Sequence, residues 1–407
     1  MRYFCAAVFL LFTFCYLYCM EGDLLAQAQF VFSHGKTTYS ILVGAIIITA
    51  VLQVLQWLMS LVLHVPSRWH ALTYVPSFVA LTMLTHLDAR AINHFAFGAW
   101  TWLLPLLLLI YLTVIYAIHA ARKSRKKAQK GHADESNPLL PNAMTMLLFI
   151  LLCGGTNATS DVYMFELKTE RLILQQRYAD ALRVGQRSLP STARLTNLRM
   201  YALSLEDSLS ERLFDYPQSF GTAGLLQLSD TSRLQHRITA DRIVRSLGVA
   251  PDSIDAQTPE QLFAYVLQHH VALADSLQHI DSTAIAQPTP FWQVIIDRPQ
   301  FIHRQLRRAA DYYLCSHLLR RDLMAFIDDF GQYEYLYVDT LSVRPLPRAF
   351  REALAVVSPD MADSLTLQHH ADYITMRDTL ADPIQRTNLT RRRFGNTLWW
   401  YLDNPEQ

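Results

Sequence analysis

Residues 41–65 have the sequence ILVGAIIITAVLQVLQWLMSLVLHV, in which there is no Asp, Glu, Lys or Arg. A helix crosses the hydrocarbon core of a bilayer with about 20 consecutive apolar residues. A charged side chain inside that core is costly, so its absence over such a length is informative. These residues therefore predict a transmembrane helix.

Four other apolar segments raise the predicted number of spans to about five. They lie near 3–20, 71–87, 97–120 and 143–157. The last is short, but it approaches the lower length limit of a span when it is counted from Pro138. The first resembles a signal peptide, yet no small-x-small cleavage motif follows it, which favours an uncleaved anchor. The sequence thus predicts an N-terminal transmembrane helical bundle over residues 1–157.

Basic residues beside the spans indicate the orientation of this bundle, because they accumulate on the cytoplasmic side. Arg2, Arg68 and six cations within 122–130 fall on one side of a five-span arrangement. The alternate loops, 21–40 and 88–96, carry two cations and three acids. The N-terminus is therefore predicted to be cytoplasmic.

The remaining two segments follow from that orientation. Residues 121–142 become a basic cytoplasmic loop, and residues 158–407 become an extracytoplasmic domain. If 143–157 does not cross, the domain is cytoplasmic instead.

The charge distribution separates the same two parts. The chain is 51% hydrophobic and carries a formal net charge of +1, which argues against a general nucleic-acid binder. Residues 1–160 contain 10 Lys and Arg and 5 Asp and Glu, whereas 161–407 contain 26 and 30. Of the five cysteines only Cys315 lies in the soluble part, so no disulfide forms within it.

The soluble part has the periodicity of successive helices. Tyr178, Ala181 and Leu182 begin one apolar face that extends to Leu189, and Pro190 follows. A helix at 165–174 precedes it, and the two form a first helix pair. A second pair with the same layout, at 195–205 and 209–214, follows before Pro217. Further helices are predicted at 232–247, 259–279, 300–330, 348–357, 359–380 and 387–402, with a hinge at 288–299.

The two helix pairs resemble tetratricopeptide repeats. Tyr178-x-x-Ala181, small residues where two helices meet and a proline at the end of each unit support this likeness. Repeats of that type run about 34 residues, and the second helix of each pair is shorter here. The predicted domain is therefore a degenerate helical-repeat domain.

His86, Asp88 and His94 are the candidate metal ligands, since imidazole and carboxylate are common ligands. They lie where the third predicted span leaves the membrane, so a hydrated surface loop is the favoured interpretation. Together with Arg90, they motivate a proton-relay or transport role as the alternative. No catalytic residue and no cofactor site is predicted.

Other reactive side chains have unsuitable spacing. Adjacent histidines on a helix point about 100° apart, so neither doublet chelates a metal alone. A cysteine and a histidine two residues apart on a helix lie on opposite sides, which is poor geometry for a nucleophile and its base. These residues are His269 and His270, His369 and His370, and Cys315 and His317.

Two features suggest anion binding. Gly221 and Gly224 lie in a short loop, but they match no nucleotide fingerprint, and a packed connector is the favoured interpretation. Arginine clusters bind phosphate or carboxylate bidentately. Helix-face ion pairs are favoured for them, because the soluble part is acidic overall. The clusters are Arg307-Arg308, Arg320-Arg321 and Arg391-Arg392-Arg393.

Several strings in the soluble half resemble an uncharacterised family, a domain of unknown function, of bacterial multi-pass membrane proteins with a tetratricopeptide-like C-terminal region. They are SERLFDYPQ at 210–218, GTAGLL at 221–226, YLCSHLLRRDL at 313–323, PRAFREAL at 347–354 and FGNTLWWY at 394–401. The membrane half is short for that family. The resemblance implies no activity, but it favours an adaptor, because stacked helix pairs present a concave binding surface.

The favoured function is a non-catalytic, membrane-anchored scaffold that binds an envelope protein or peptide. The bilayer is its other partner, and no nucleic acid is expected. The alternative is a membrane enzyme or transporter component that acts on a lipid-linked or envelope substrate. Trp399-Trp400-Tyr401 is predicted to pack as the last helix of the core.

Overall fold

A computed structural model describes residues 1–63, 65–86, 98–128, 138–155, 160–186, 188–227, 236–249, 258–278, 299–337 and 345–404. Regular secondary structure in these ranges is helical, and they contain no strand. This confirms the predicted all-α class for them. The chain divides into two compact units, Met1–Leu167 and Lys168–Gln407.

Unit 1 is a bundle of apolar helices. It contains α1 (Arg2–Cys15) continued by a π-helical turn (Tyr16–Met20), α2 (Gly22–Phe32), α3 (Ile41–Leu63), a 3-10 helix (Ser67–Tyr74), α4 (Val75–Thr85), α5 (Trp100–Ala128), α6 (Leu139–Gly155) and the first half of α7 (Asp161–Leu174).

Three helices of unit 1 are long and apolar enough to cross a membrane. They are Arg2–Met20, Ile41–Leu63 and Trp100–Ala121. Helix α6 is apolar too, but it has 17 residues. Membrane association is therefore consistent with the structure, whereas the number of crossings stays a prediction.

Two segments of unit 1 differ from their predicted form. The predicted span at 71–87 is a 3-10 helix, which contains a kink at Trp69, followed by the 11-residue α4 with a proline in its first turn. Eleven residues rise about 16 Å, roughly half the thickness of a hydrocarbon core. The predicted loop at 21–40 contains α2, which buries Leu24, Leu25 and Ala28.

Polar side chains join the helices of unit 1. Asn142 is fully buried on α6, where its amide oxygen accepts from the Ala71 backbone N–H at 2.7 Å and its amide nitrogen donates to the Ser67 carbonyl at 2.9 Å. Ser77 on α4 donates to the Leu52 carbonyl of α3 at 2.8 Å. Such bonds are useful in an apolar solvent, because no water competes for the same groups.

Unit 2 is a second helical assembly. After the end of α7 it contains α8 (Tyr178–Arg183), α9 (Ala193–Leu205), α10 (Leu209–Arg212), α11 (Ala240–Ser246), α12 (Pro259–Gln278), α13 (Pro299–Arg320), α14 (Leu323–Tyr333), α15 (Arg348–Val357), α16 (Ser364–Thr379), α17 (Pro383–Phe394) and α18 (Leu398–Asp403). Short 3-10 helices lie at Leu213–Asp215, Gly221–Gly224, Glu334–Leu336 and Pro359–Met361.

Several predicted helices of unit 2 are shorter or interrupted. The helix predicted from Tyr178 to Leu189 ends at Arg183, because Val184 is extended and Gly185 has a φ of +58°. The helix predicted at 300–330 is broken at Arg321, which has a φ of +63°. The Asp322 carboxylate then accepts from the Ala325 N–H at 3.1 Å and starts α14. This arrangement is a helix N-cap.

The repeat-like pairs keep only part of the predicted geometry. Helix α9 is 13 residues long and almost wholly buried, whereas α8 has six residues and α10 has four. Helices α8 and α9 pack against each other, and α9 also contacts α10. A helical-repeat domain therefore remains a prediction for this unit.

A buried hydrogen-bond network connects distant segments of unit 2. Ser210 Oγ of α10 donates to Asp311 Oδ1 of α13 at 2.8 Å, and the Tyr337 hydroxyl donates to the same oxygen at 3.0 Å. Asp311 is buried, and this burial raises its pKa to about 6, although Ser210 and the nearby Arg307 oppose the shift. The folded chain therefore holds the Asp311 proton more tightly than an unfolded chain does.

This difference predicts how stability depends on pH. An unfolded Asp titrates near pH 3.9, so the contribution of Asp311 is fully present below that pH and is lost as the pH rises through about 6. Asp311→Asn keeps the accepting oxygen and does not titrate. Between pH 4 and pH 7 the stability of the variant relative to the parent should rise by up to about 3 kcal/mol.

The measurement is urea unfolding of the full chain in detergent, followed by circular dichroism at several pH values. The exposed Asp328→Asn variant is the control and should track the parent. Parallel curves for Asp311→Asn and the parent would show that the network does not titrate in this range.

Candidate functional site

A cleft of about 570 Å³ lies in unit 2, between the segment at 186–219 and helices α17 and α18. Its size is in the range of ligand-binding pockets. Basic, amide and aromatic side chains share its surface. The lining residues are Gln186, Ser188, Leu189, Phe214, Asp215, Tyr216, Pro217, Gln218, Ser219, Arg391, Arg392, Arg393, Gly395, Asn396, Trp400 and Tyr401.

Arg199 supports one wall of the cleft from inside the core. Its side chain is fully buried on α9, and its guanidinium donates to the Val184 and Gly185 carbonyls at 3.1 and 3.0 Å. The guanidinium also lies 4.9 Å from the centre of the Tyr216 ring. Desolvation lowers the pKa of Arg199, yet an arginine keeps its charge at neutral pH.

Tyr216 completes this wall. Its hydroxyl donates to the Leu182 carbonyl at 2.7 Å, so the ring is fixed against the end of α8. The backbone from Val184 onward leaves the helix at the carbonyls that Arg199 binds, and it continues into the lining at Gln186. A buried cation thus shapes the turn that forms this wall.

Glu352 and Arg348 of α15 hold the opposite wall. The buried Glu352 carboxylate accepts from the Leu398 backbone N–H at 2.7 Å and from Arg348 Nε at 3.0 Å. The Trp399 indole donates to the Glu352 carbonyl at 3.0 Å. Burial raises the pKa of Glu352, and the charge of Arg348 opposes this shift. A carboxylate at the start of α18 also suits the helix dipole.

Arg348 connects this wall to the first one. Its backbone N–H donates to Glu211 at 2.8 Å, and its guanidinium contacts Asp215 at 3.5 Å and donates to the Asn396 carbonyl. Asp215 also accepts from Arg212 at 3.1 Å. The one acidic group in the lining is therefore already paired with two cations.

The three consecutive arginines lie in the last turn of α17, beside the cleft. The Arg391 guanidinium lies 5.4 Å from the centre of the Trp400 ring, and Arg393 lies 3.6 Å from Asp372 with both side chains exposed. Arg392 is exposed and has no ion pair within the described residues. Arg393 therefore has an ion pair, but its acid lies on α16 and not on the face of its own helix.

The other arginine clusters behave in two ways. Arg308 forms an ion pair with Asp207 at 2.7 Å, but this acid lies in a turn 101 positions away and not on the face of the same helix. Arg307 instead lies over the Tyr337 ring at 5.3 Å, and Arg321 lies over the Tyr401 ring at 4.6 Å. Stacking on an aromatic ring is a second common environment for arginine, and the charge pattern alone does not indicate it.

The candidate metal ligands are only partly described. His86 Nδ1 accepts from the Trp100 indole at 2.9 Å, which leaves this histidine engaged at the end of α4. Asp88, Arg90 and His94 lie outside the described residues. Among the residues whose positions are described, no group of three His, Cys, Asp or Glu side chains could hold a metal ion.

The remaining reactive residues pack inside unit 2. Cys315 is buried, and burial raises the pKa of its thiol, which disfavours the reactive thiolate. His317 Nε2 lies 2.9 Å from Asp329, and His270 contacts the Leu247 carbonyl. His370 stacks on the Trp399 ring, with 4.7 Å between ring centres.

Two smaller predictions are confirmed by burial and geometry. Gly221–Gly224 is a packed 3-10 connector, in which a Cβ on Gly224 would lie 2.8 Å from the Thr196 methyl group. Trp399, Trp400 and Tyr401 form the buried helix α18. These three side chains therefore belong to the core, although Trp400 and Tyr401 also line the cleft.

In a second cavity, of about 230 Å³, the charged side chains already have hydrogen-bond partners, and Arg386 donates to the Leu380 and Ala381 carbonyls. The Tyr373 hydroxyl and Arg377 both donate to Asp403, at 2.5 and 3.1 Å, and Arg377 also pairs with Asp378. These contacts leave the larger cleft as the better candidate site.

Two supporting residues of the cleft were missed by sequence reasoning. Arg199 lies between Leu198 and Met200 in an otherwise apolar helix, which is an observable signal for a buried cation. Glu352 lies four residues after Arg348, the spacing of a helical ion pair. Neither spacing indicates which distant backbone groups these side chains bind.

Residues 302–404 match the model of a family described as "Family of unknown function (DUF6057)". The match covers the wall formed by α15, α17 and α18, whereas residues 186–219 of the other wall precede it. No curated protein and no solved structure matches the chain. The likeness at 302–404 is therefore to a domain without an assigned activity.

Loss of the Glu352 carboxylate should destabilise unit 2 and loosen the cleft. Glu352→Ala leaves Arg348 without its closest acid and the Leu398 N–H without its acceptor, at a cost of about 3 kcal/mol. Glu352→Gln keeps one accepting oxygen and should lose less. Urea unfolding of the full chain measures both changes.

The matched control is the exposed Asp360→Ala, which removes an acid close to the end of α15 and should change stability by less than about 0.5 kcal/mol. Equal effects of Glu352→Ala and Asp360→Ala would contradict the role assigned to Glu352.

Proposed function

We propose that the chain is a membrane-anchored scaffold whose C-terminal helical domain binds a polypeptide of the bacterial cell envelope. The cleft between the 186–219 segment and α17–α18 is the observation that supports this proposal most strongly. It combines exposed arginines with aromatic surface, and arginine, tyrosine and tryptophan dominate the binding energy of protein interfaces.

The anchor in this proposal crosses the inner membrane five times. The three long apolar helices and the shorter α6 support four of the crossings. The fifth, at 71–87, requires the 3-10 helix to continue α4 across the membrane, because α4 alone reaches about half of the hydrocarbon thickness. The basic run at 122–130 then lies in the cytoplasm and the domain at 158–407 lies in the periplasm. A multi-pass anchor keeps the binding domain at the membrane surface.

The composition of the cleft favours binding over chemistry. Its described lining consists of arginine, amide, hydroxyl, aromatic and aliphatic side chains, and its aspartate is paired with Arg212 and Arg348. The short helices α8, α9 and α10 pack together behind one wall. Stacked short helices are the means by which repeat domains present peptide-binding surfaces, which supports the proposal.

Site-specific photocrosslinking in cells tests this function. A photoreactive amino acid at Leu189 or Asn396, both exposed in the cleft lining, should give a discrete crosslinked protein. The same amino acid at Leu365 or Ile384, which are 72% and 73% exposed but lie outside the lining, should not.

Crosslinks of equal strength at all four positions, or at none, would contradict the proposal. Turnover of a defined substrate by purified protein that captures no partner would favour the alternative, a membrane enzyme or transporter component.

A further inference from the structure

The cleft is a locally positive surface on an acidic domain. Three arginines line it, and its single aspartate already contacts Arg212 and Arg348. Residues 161–407 as a whole carry 26 basic and 30 acidic side chains. A long polyanion would meet repulsion from the rest of such a domain, whereas one or two negative groups would be attracted to the cleft alone.

Two of the three arginines are available to a ligand. Arg392 is exposed without an ion pair in the described part of the chain, and the Arg391 guanidinium lies over the Trp400 ring. A helix dipole also favours cations in the last turn of a helix, which is where these residues lie. Any test must therefore separate ligand binding from stabilisation of α17.

The apolar surface of the cleft adjoins these arginines. Trp400, Tyr401 and Phe214 contribute aromatic rings, and the volume of about 570 Å³ is larger than a simple anion requires. A ligand that fills this space presents apolar groups as well as negative charge.

Two polar atoms in the wall lack hydrogen-bond partners within the described residues. They are the Trp400 indole nitrogen, a donor, and Gln218 Oε1, an acceptor. Both residues are more than nine-tenths buried, and Arg391 covers the tryptophan ring. An unmade buried hydrogen bond costs free energy that a ligand can recover.

We infer that this cleft binds an acidic peptide segment, an inference that rests on the proposed polypeptide-binding function. A carboxylate of the peptide pairs with Arg391 and Arg392, and an adjacent apolar side chain lies against Trp400 and Tyr401. Carboxylate matches the planar guanidinium fork bidentately, and such charge-assisted bonds are the strong ones.

Fluorescence anisotropy with purified full-length protein in neutral detergent tests this inference. The probe is a fluorescein-labelled octapeptide library in which Glu and Asp alternate with Leu and Phe. A matched library carries Gln and Asn in place of the acids. The acidic library should bind at least about tenfold more tightly, as expected for hydrogen bonds to a charged group.

Arg391→Gln and Arg392→Gln should each weaken binding of the acidic library, and together by at least about tenfold. The control is Arg245→Gln, which removes an exposed arginine from the last turn of α11, away from the cleft. It should leave binding unchanged, and circular dichroism should show the same helix content in all variants.

Three results would overturn the inference. They are equal binding of the two libraries, binding that is unaffected by both arginine substitutions, and displacement of the peptides by inorganic phosphate alone, which would indicate a small-anion site. Photocrosslinks that persist when the libraries bind equally would refute the acidic specificity and leave the scaffold function intact.

Discussion

Arg348 connects the two walls of the cleft in unit 2. Its guanidinium donates to Glu352 on its own helix, to Asp215 in one wall and to the Asn396 carbonyl in the other, and its backbone N–H donates to Glu211. Segments more than 130 positions apart in sequence are thus held by one residue. Glu352 in turn accepts a hydrogen bond from the Leu398 N–H and so holds the start of α18. Another arrangement of the two walls would leave the buried Glu352 carboxylate without its cation, which is costly. These contacts therefore stabilise one arrangement of the walls.

The sequence predicts the broad architecture because hydrophobicity is a local signal. The run at 41–65 appears as the 23-residue α3, and most later helices are found near their predicted positions. Helix ends are less predictable where one residue adopts an unusual backbone conformation. Arg321 breaks one predicted helix in this way, because its backbone adopts the left-handed conformation with a φ of +63°. An arginine in the sequence does not indicate this conformation.

The candidate site is less predictable than the fold, because its parts are distant in sequence. The run Arg391-Arg392-Arg393 is visible as a possible anion binder, but its neighbours Tyr216 and Gln218 lie more than 170 positions away. Arg199 and Glu352 act through backbone groups that no spacing identifies. The histidines and the carboxylate at 86–94 are visible in the sequence as possible metal ligands. The sequence does not indicate that the Trp100 indole donates to His86.

The central claim is that a membrane anchor presents this cleft outside the cytoplasm. Cysteine labelling tests it directly, using a chain in which the exposed Cys15 and Cys19 are replaced by alanine. A cysteine at Asn396, in the cleft, should react with a membrane-impermeant maleimide on intact spheroplasts. A cysteine at Asp134, in the basic loop, should react only after the membrane is permeabilised. Labelling of Asn396→Cys only after permeabilisation would contradict the account.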